Sequence, residues 1–400
     1  MNAFGLAVVS FTSALCGSAY AQDLVTPSDR VATHVNIRSS AAENATEIGH
    51  LNIGEALPHV RSVPRWYEVQ LPGGQTGFVS KAWTTVSRAL APRQQDELRM
   101  HFLNIGTGTC TVLECPGSNA APMIVDCGSL GATAVDMDRQ QTRTYIRNIL
   151  AQHQAAPNVV VSHPDPDHYN YIANGLDNLT VASVWQGGNP SAYTSGTFAA
   201  WLADQESRGA VLHRNFPPRF HNNRQPVSAD LPCGTASTFV LTANTGASDN
   251  AQSLVLMIEH EDFTAVFTGD AEGPTEAQAL NNFANSLKAT VMTASHHGAS
   301  TFASNSQTWV DATAPAVLIS SAGNRFFHPR CLATQRFTSL ATTKTHHTRC
   351  GTSKNYISSR TNRAHYVTEV NGAIIVTSNG RSPVTLNCTR SVECGVKIAH

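Results

Sequence analysis

The segment His163-Pro164-Asp165-Pro166-Asp167-His168 packs two imidazoles and two carboxylates into six residues, directly after the short apolar run Val159 to Ser162. Such a run reads as a buried strand, and a loop leaving its C-terminal end can aim several ligands at one point. Imidazole nitrogen together with carboxylate oxygen suits zinc, manganese or iron. A solvated polar loop is the competing reading, and three distant segments weigh against it. Thr268-Gly269-Asp270 ends a second apolar strand, where a carboxylate could bridge two metal ions, and Ser295-His296-His297-Gly298 ends a third. Asn324-Arg325-Phe326-Phe327-His328-Pro329 follows a fourth, at Ala316. Each sets an acid or a histidine where a strand meets a loop, which is how α/β sites are built at one edge of a sheet. Taken singly, Asp270 could cap a helix at Glu276, and one of His296 and His297 could be a core histidine. Together they make a candidate metal centre.

The surrounding pattern is α/β. Strand-like runs at Arg99 to Ile105, Thr109 to Glu114 and Met123 to Asp126 precede a helical segment through Leu150. Ser253 to Glu259 and Phe263 to Thr268 read as paired strands, Glu276 to Leu287 as a helix, and Thr290 to Ala294 and Ala316 to Ser320 as further strands. Upstream, residues 31–85 are punctuated as short strands with turn residues such as Pro72-Gly73-Gly74 between them, the pattern of a small all-β barrel. Thr84 to Leu98, with Pro92, reads as a polar connection.

The first 21 residues carry an apolar stretch from Phe4 to Cys16 and end in Ala19-Tyr20-Ala21, a small-residue cleavage pattern, and read as a secretory signal peptide. The mature chain then holds eight cysteines: Cys110, Cys115, Cys127, Cys233, Cys331, Cys350, Cys388 and Cys394. An even number suits disulfides in an oxidising compartment, so the expected location is secreted or periplasmic. Local pairs are expected for Cys388 with Cys394 and Cys331 with Cys350, and Cys110 faces Cys127 if their strands form a hairpin near Gly117. A cysteine zinc site would need close spacings such as C-x-x-C, which the sequence lacks. After residue 21 no apolar run reaches the ~18 residues that a membrane-spanning helix needs. The net charge of −1 leaves any polyanion to be met by a local patch, for which Arg325, Arg330, Arg336 and Lys344 near the site are the only hint.

Two family resemblances sharpen these readings. Val35-Asn36-Ile37-Arg38-Ser39, Gly49, Gly54, Trp66-Tyr67-Glu68-Val69 and Gly77-Phe78-Val79-Ser80 with Ala82-Trp83 resemble a bacterial SH3-like domain. Such domains in exported proteins bind cell-wall peptides, although Trp66, Tyr67 and Trp83 serve equally as core. From Met100 to Val376 the chain resembles the metallo-β-lactamase superfamily, specifically the hydrolase domain of ComEC-type competence proteins. The resemblance rests on His101 to Gly108, Met123 to Ser129, His163 to His168, Asn250 to Leu256, the Thr-Gly-Asp at Asp270, His296-His297-Gly298, His328-Pro329 and Thr368 to Ile374. It implies an α/β fold, an αββα sandwich of two mixed sheets with outer helices. The expected organisation is a signal peptide over 1–21, an SH3-like domain over 22–88, a linker over 89–98 and a hydrolase domain over 99–400.

The resemblance also implies chemistry. Two divalent ions, zinc or manganese, would share a hydroxide and Asp270, with His163 and Asp165 on one and Asp167, His168 and a histidine of the His296-His297 pair on the other. The hydroxide would attack a phosphoester, and the remaining histidine of the pair, with His328, would serve the leaving group. The site residues that the resemblance implies are thus His163, Asp165, Asp167, His168, Asp270 and His297 for metal, and Asp167, His296 and His328 for catalysis. Two departures bear on this. Asp165 stands where the family has a histidine, making one site richer in oxygen, and Thr109 stands where it has an acid. The additional histidine that many relatives carry before the bridging aspartate is not evident, with His213 and His221 as candidates. The expected function is an exported metal-dependent phosphodiesterase or nuclease acting on a phosphodiester such as DNA. A β-lactam or ester hydrolase and a noncatalytic wall-binding protein with a decayed site are the alternatives.

Overall fold

In a computed structural model the described residues are 23–28, 31–52, 55–87, 93–133, 136–283, 287–390 and 394–400. The expected signal peptide over 1–21, Gly54 and residues 89–92 of the expected linker lie outside them. Among the described residues, no helix is long and apolar enough to cross a membrane. The chain divides into two units, the second beginning at Arg93.

The first unit is all β, because its short runs alternate apolar and polar residues and so bury one face. His34–Arg38, for instance, turns Val35 and Ile37 inward and leaves His34 exposed. Seven antiparallel strands, Leu24–Pro27, His34–Arg38, Glu47–Asn52, Leu57–Val63, Trp66–Gln70, Thr76–Ser80 and Thr84–Ser87, curl around Val25, Val35, Ile37, Leu51, Val69 and Val79. Trp66 is buried and Trp83 is 44% exposed, so only Trp83 is available at the surface.

The second unit stacks two sheets. The nine-stranded sheet places Asn158–Val161 parallel to both Met123–Ser129 and Ser183–Gln186 near its middle, and closes on Leu98–Phe102, Ile374–Ser378 and Val384–Cys388. The six-stranded sheet runs from Ser237–Thr242 through Val255–His260 and Phe263–Phe267 to the parallel strands Val291–Thr293, Val317–Ser320 and His365–Val367. Leu98, Phe102, Val125, Val160 and Trp185 of one sheet share a core with Leu256, Ala265, Phe267, Val291 and Ile319 of the other. The outer face of the six-stranded sheet is covered by Gly273–Phe283 and Gln307–Thr313, whose Ala279, Phe283, Trp309 and Val310 pack on Val266, Met292 and Leu318. Arg139–Leu150 is a third helix, opened by a capping box between Asp138 and Gln141. The result is the αββα sandwich with a small N-terminal all-β unit that the sequence led us to expect. The helix expected at Glu276 to Leu287 instead runs Gly273–Phe283, with 284–286 outside the described residues, and Asp270 does not cap it. The buried Glu276 carboxylate accepts the backbone N–H groups of Asn305 and Ser306.

Four disulfides join Cys110 to Cys127, Cys115 to Cys233, Cys331 to Cys350 and Cys388 to Cys394. The first lies across the antiparallel pair Gly108–Glu114 and Met123–Ser129, as the hairpin reading required. Cys115–Cys233 joins positions 118 residues apart, and a crosslink of that span removes the most entropy from the unfolded chain. The double variant Cys115→Ala/Cys233→Ala should lose about 4 kcal/mol of stability in urea unfolding of oxidised protein. A loss below about 1 kcal/mol would mean that sheet packing alone closes this loop in the unfolded ensemble.

Candidate metal centre

Parallel strands end on one side of the stacked sheets, and each hands over a ligand-bearing loop. Asn158–Val161 leads into Ser162-His163 and the short helix Pro166–Tyr169; Phe263–Phe267 leads into Asp270; Val291–Thr293 leads into the turn Ser295–Gly298. Close approach is built in at two glycines. A Cβ at Gly269, where φ is +53°, would stand 2.6 Å from Ser162 Cβ, and one at Gly128 would meet the Pro166 carbonyl at 2.3 Å. These positions let the segment from Ser162 to Tyr169 lie against both the Asp270 loop and the strand Met123–Ser129.

At the centre is Asp270, buried, with its two oxygens facing different histidines. Oδ1 lies 3.0 Å from His168 Nε2 and 3.5 Å from His297 Nε2, and Asp167 Oδ2 is 3.4 Å from the same His297 nitrogen. Oδ2 lies 3.9 Å from His163 Nε2 and 3.5 Å from His296 Nε2. Asp165 sits at the rim, partly exposed, with Oδ2 3.5 Å from His163 Nε2. The structure therefore brings all the expected site residues to one place. The tightest convergences are His163, His168 and Asp270, and Asp167, His168 and His297, each with one ligand atom per residue within 4.8 Å of the others.

The donor atoms fit a metal. His163 Nε2, His168 Nε2, His297 Nε2 and Asp270 Oδ1 are all buried without a hydrogen-bond partner. Each such atom costs about 1–3 kcal/mol, and their convergence gives that cost a purpose only if a cation replaces the missing partners. The opposite nitrogen of each ring is held: His163 Nδ1–H donates to Ser162 Oγ at 3.0 Å, His168 Nδ1–H to Asp126 Oδ2 at 2.9 Å, and His297 Nδ1–H to the Ser321 carbonyl at 2.8 Å. Donation from Nδ1 leaves the Nε2 lone pair facing inward, the tautomer a ligating histidine needs.

Asp126 is the functional residue that sequence reasoning left out. It interrupts an otherwise apolar strand at φ +52°, at the register shift between Val125 and Cys127. Its carboxylate accepts Ser162 N–H at 2.7 Å and Ser162 Oγ–H at 2.8 Å as well as the His168 ring. The detectable signal was an acid inside a fully buried strand, Met123–Ser129. Ser253 takes a supporting part, its Oγ accepting Asp270 N–H at 3.1 Å. His101, in the first motif, belongs elsewhere: it joins a buried network with Glu114 and Tyr145. His213 stacks on Trp185 and His221 accepts Asn223 N–H, so neither enters the centre. Thr109 lines a small cavity with Asp126, His168, Asp270, His297 and Ser321.

The electrostatics follow from burial and proximity. Burial disfavours a charged His168, but Asp270 and Asp126 outweigh it and hold its pKa well above the ordinary histidine value. Asp270 would be raised by burial, and His297, His168 and His296 instead hold it well below the carboxylate range. Asp167 is lowered against burial by His297 and His168, and His297 is raised against burial by Asp270 and then by Asp167. His296 is lowered by burial, which Asp270 only partly opposes. His328, whose ring lies 5.7 Å from that of His296, is lowered to about 3 by burial and by His297 and His296, so its imidazole is neutral.

Comparison with known proteins adds the following. Residues 33–85 match the bacterial SH3 domain family. No curated protein matches the chain. Among solved structures the chain is similar to yeast PDE1 in its unliganded form, with 9% identity over 60% of this chain and 94% of that one at a TM-score of 0.37. It is similar to the short form of human tRNase Z, with 12% identity over 61% and 96% at 0.31. It is also similar to CmlA, a diiron β-hydroxylase from Streptomyces venezuelae, with 10% identity over 60% and 49% at 0.35, and so spans about half the length of that enzyme. These are metallo-β-lactamase-fold enzymes.

A raised His168 pKa stabilises the metal-free protein fully below the unfolded value of ~6.5 and ceases to do so as pH rises through the folded value. A cation competes with that proton, so zinc uptake at pH 7 should release protons, and affinity should fall as pH drops from 8 to 6. Calorimetry in buffers of differing ionisation enthalpy reads both. Asp126→Asn should weaken zinc affinity about 10–100-fold and reduce the proton release. Equal affinity in the variant would remove Asp126 from the centre.

Proposed function

We propose that residues 99–400 form an exported metal-dependent hydrolase that cleaves phosphodiester bonds, similar to the hydrolase domain of ComEC-type competence proteins. The observation that carries this reading is the division of Asp270 between two groups of histidines. Asp167, His168, His297 and Asp270 Oδ1 would hold one divalent ion; His163, His296 and Asp270 Oδ2, with Asp165 at the rim, would hold a second. His296 thereby supplies the nitrogen that neither His213 nor His221 provides, and its lowered pKa keeps the ring neutral and able to ligate. With the rim carboxylate of Asp165 in place of the histidine that the resemblance implies there, the second set gains an oxygen for a nitrogen, which tilts preference from zinc toward manganese. Ions bound there would supply Lewis acidity and a water acidified toward neutral pH. The chain's own contribution is orientation and charge. Asp167 and Asp270 stay ionised beside their histidines, and Asp126, Ser162 and Ser321 fix the ring planes. Neutral His328 presents an N–H beside His296, where charge on a leaving oxygen would develop.

Export is supported by the four disulfides, which persist in oxidising compartments. With the signal peptide over 1–21, the SH3 domain over 22–88 and the linker over 89–98, the proposed role of the first unit is to hold the enzyme at cell-wall peptide, with exposed Trp83 as the available aromatic.

Elemental mass spectrometry on oxidised protein loaded with zinc or manganese should find about two ions per chain, the number a shared carboxylate serves. Asp270→Ala should lose both, and Asp270→Ala and Asp167→Ala should each lower turnover of bis(p-nitrophenyl) phosphate at least 100-fold, since each removes an uncompensated ligand charge. Full metal content with full turnover in Asp270→Ala would sink the reading. Nitrocefin hydrolysis exceeding phosphodiester hydrolysis would transfer it to the β-lactam class. Replacing Asp165 with histidine should raise zinc retention during dialysis against chelator.

A further inference from the structure

Between Asp311 and Glu369 the sequence has no acidic residue, while Arg325, Arg330, Arg336, Lys344, Arg349, Lys354, Arg360 and Arg363 all fall within it. In a chain with 27 basic and 28 acidic residues, this is a marked local excess of positive charge. Four of the eight lie on the strands of the antiparallel hairpin Ala341–Gly351 and Tyr356–Arg363 and a fifth, Lys354, in its turn, although Arg349 is buried beside Glu369. The second strand of that hairpin is exposed over most of its length, so it adds little to the core of the sandwich. Lys344, Lys354, Arg360 and Arg363 are exposed. Lys344 donates to the Gly395 carbonyl and Arg363 to the Ser339 carbonyl, both uncharged acceptors, while Arg360 donates to Thr345 and lies against the His347 ring.

The hairpin is fastened to the loop that carries His328. Cys350 is bonded to Cys331, Gly351 N–H donates to the Pro329 carbonyl at 2.7 Å, and the Tyr356 ring lies 5.1 Å from that of Phe327. Two large aromatics stand over the histidines at this edge. Phe302, 66% exposed and at φ +54°, lies parallel to His296 with ring centroids 6.4 Å apart. Phe326, 42% exposed, is 6.1 Å from His328 and lies beneath the Arg325 guanidinium. With most of its surface in water, Phe302 contributes little buried apolar area to the fold.

We infer that the hairpin Ala341–Gly351/Tyr356–Arg363 is a docking arm for single-stranded nucleic acid, with Phe302 and Phe326 stacking the bases that flank the phosphodiester presented to the metal centre. A cationic track for the backbone combined with exposed aromatic faces is how single strands are held without sequence readout. The inference rests on the hydrolase reading for what happens to the strand, but not for the binding itself.

The test is therefore binding in EDTA, by anisotropy of a labelled 20-mer oligothymidylate, an abasic 20-mer phosphodiester and a duplex of equal length. Wild type should prefer the oligothymidylate. Lys344→Glu/Arg360→Glu/Arg363→Glu should bind it at least tenfold more weakly, with a log–log salt slope shallower by about 2, at ~0.7 per lost phosphate contact. Phe302→Ala/Phe326→Ala should weaken oligothymidylate about tenfold or more and leave the abasic strand unaffected. If the glutamate variant melts below wild type, the glutamine series at the same positions replaces it. Undiminished binding by the charge variant overturns the arm. Equal affinity for abasic and base-bearing strands overturns the nucleic-acid assignment in favour of a plain polyanion such as a wall polymer. Absence of metal-dependent turnover of the small phosphodiester by wild type, with strand binding intact, would count against the hydrolase reading alone.

Discussion

The arrangement depends on one buried carboxylate among four imidazoles. Asp270 is withdrawn from water at a cost of several kcal/mol for an isolated ion, and it is tolerated because His163, His168, His296 and His297 surround it. Those four rings arrive from two sheets. Their meeting requires that parallel strands of both sheets end on the same side, and that Ser162 and Gly269 pass within contact distance. The core shared by the two sheets thus has a function beyond stability, because a slip of one strand by a single residue would turn its ligand to the opposite face.

A second layer holds the first. Asp126 leaves the strand in a left-handed conformation and turns its carboxylate toward Ser162 and His168, while Cys127, the next residue, is bonded across to Cys110 on the neighbouring strand. A bulge inside a strand is a place where backbone pairing is weakest, and the crosslink sits where that weakness would be felt by a ligand. Thr109 lines the same small cavity as Asp126, His168 and Asp270.

Much of this was legible in the sequence, and for identifiable reasons. The strands Asn158–Val161, Phe263–Phe267 and Val317–Ser320 are short, mainly apolar runs, and each leads into a loop that carries an acid or a histidine. Local pattern was sufficient there. Ser183–Gln186 and Val211–His213 escaped notice because one carries Ser and Gln at its ends and the other is only three residues long, so neither shows periodicity, and both form by pairing with a neighbour already in place. The hairpin 341–363 is largely polar and follows no apolar alternation; its strands pair through backbone bonds, and the Cys331–Cys350 crosslink ties the first of them to the helix Cys331–Arg336. Asp126 was quoted within a motif but given no role, since a carboxylate's partners in three dimensions, Ser162 and His168, lie 36 and 42 residues away.

What no pattern of residue types could reveal is the conformation of His296 and His297. Both adopt left-handed backbone angles, φ +50° and +56°, a state that costs roughly 1–2 kcal/mol for each non-glycine residue. The turn is braced from below: the Asn305 side-chain amide donates to the carbonyls of Ser295 and Ala299, and Asn305 itself is held by Glu276. Consecutive residues in ordinary strand geometry would point to opposite sides, and consecutive residues on a helix would diverge by about 100°. The strained turn instead sends both Nε2 atoms toward a single carboxylate, one to each oxygen. Strain concentrated at two adjacent histidines, with a buried amide and a buried acid devoted to maintaining it, is accounted for by the convergence of both rings on Asp270 rather than by a requirement of the fold.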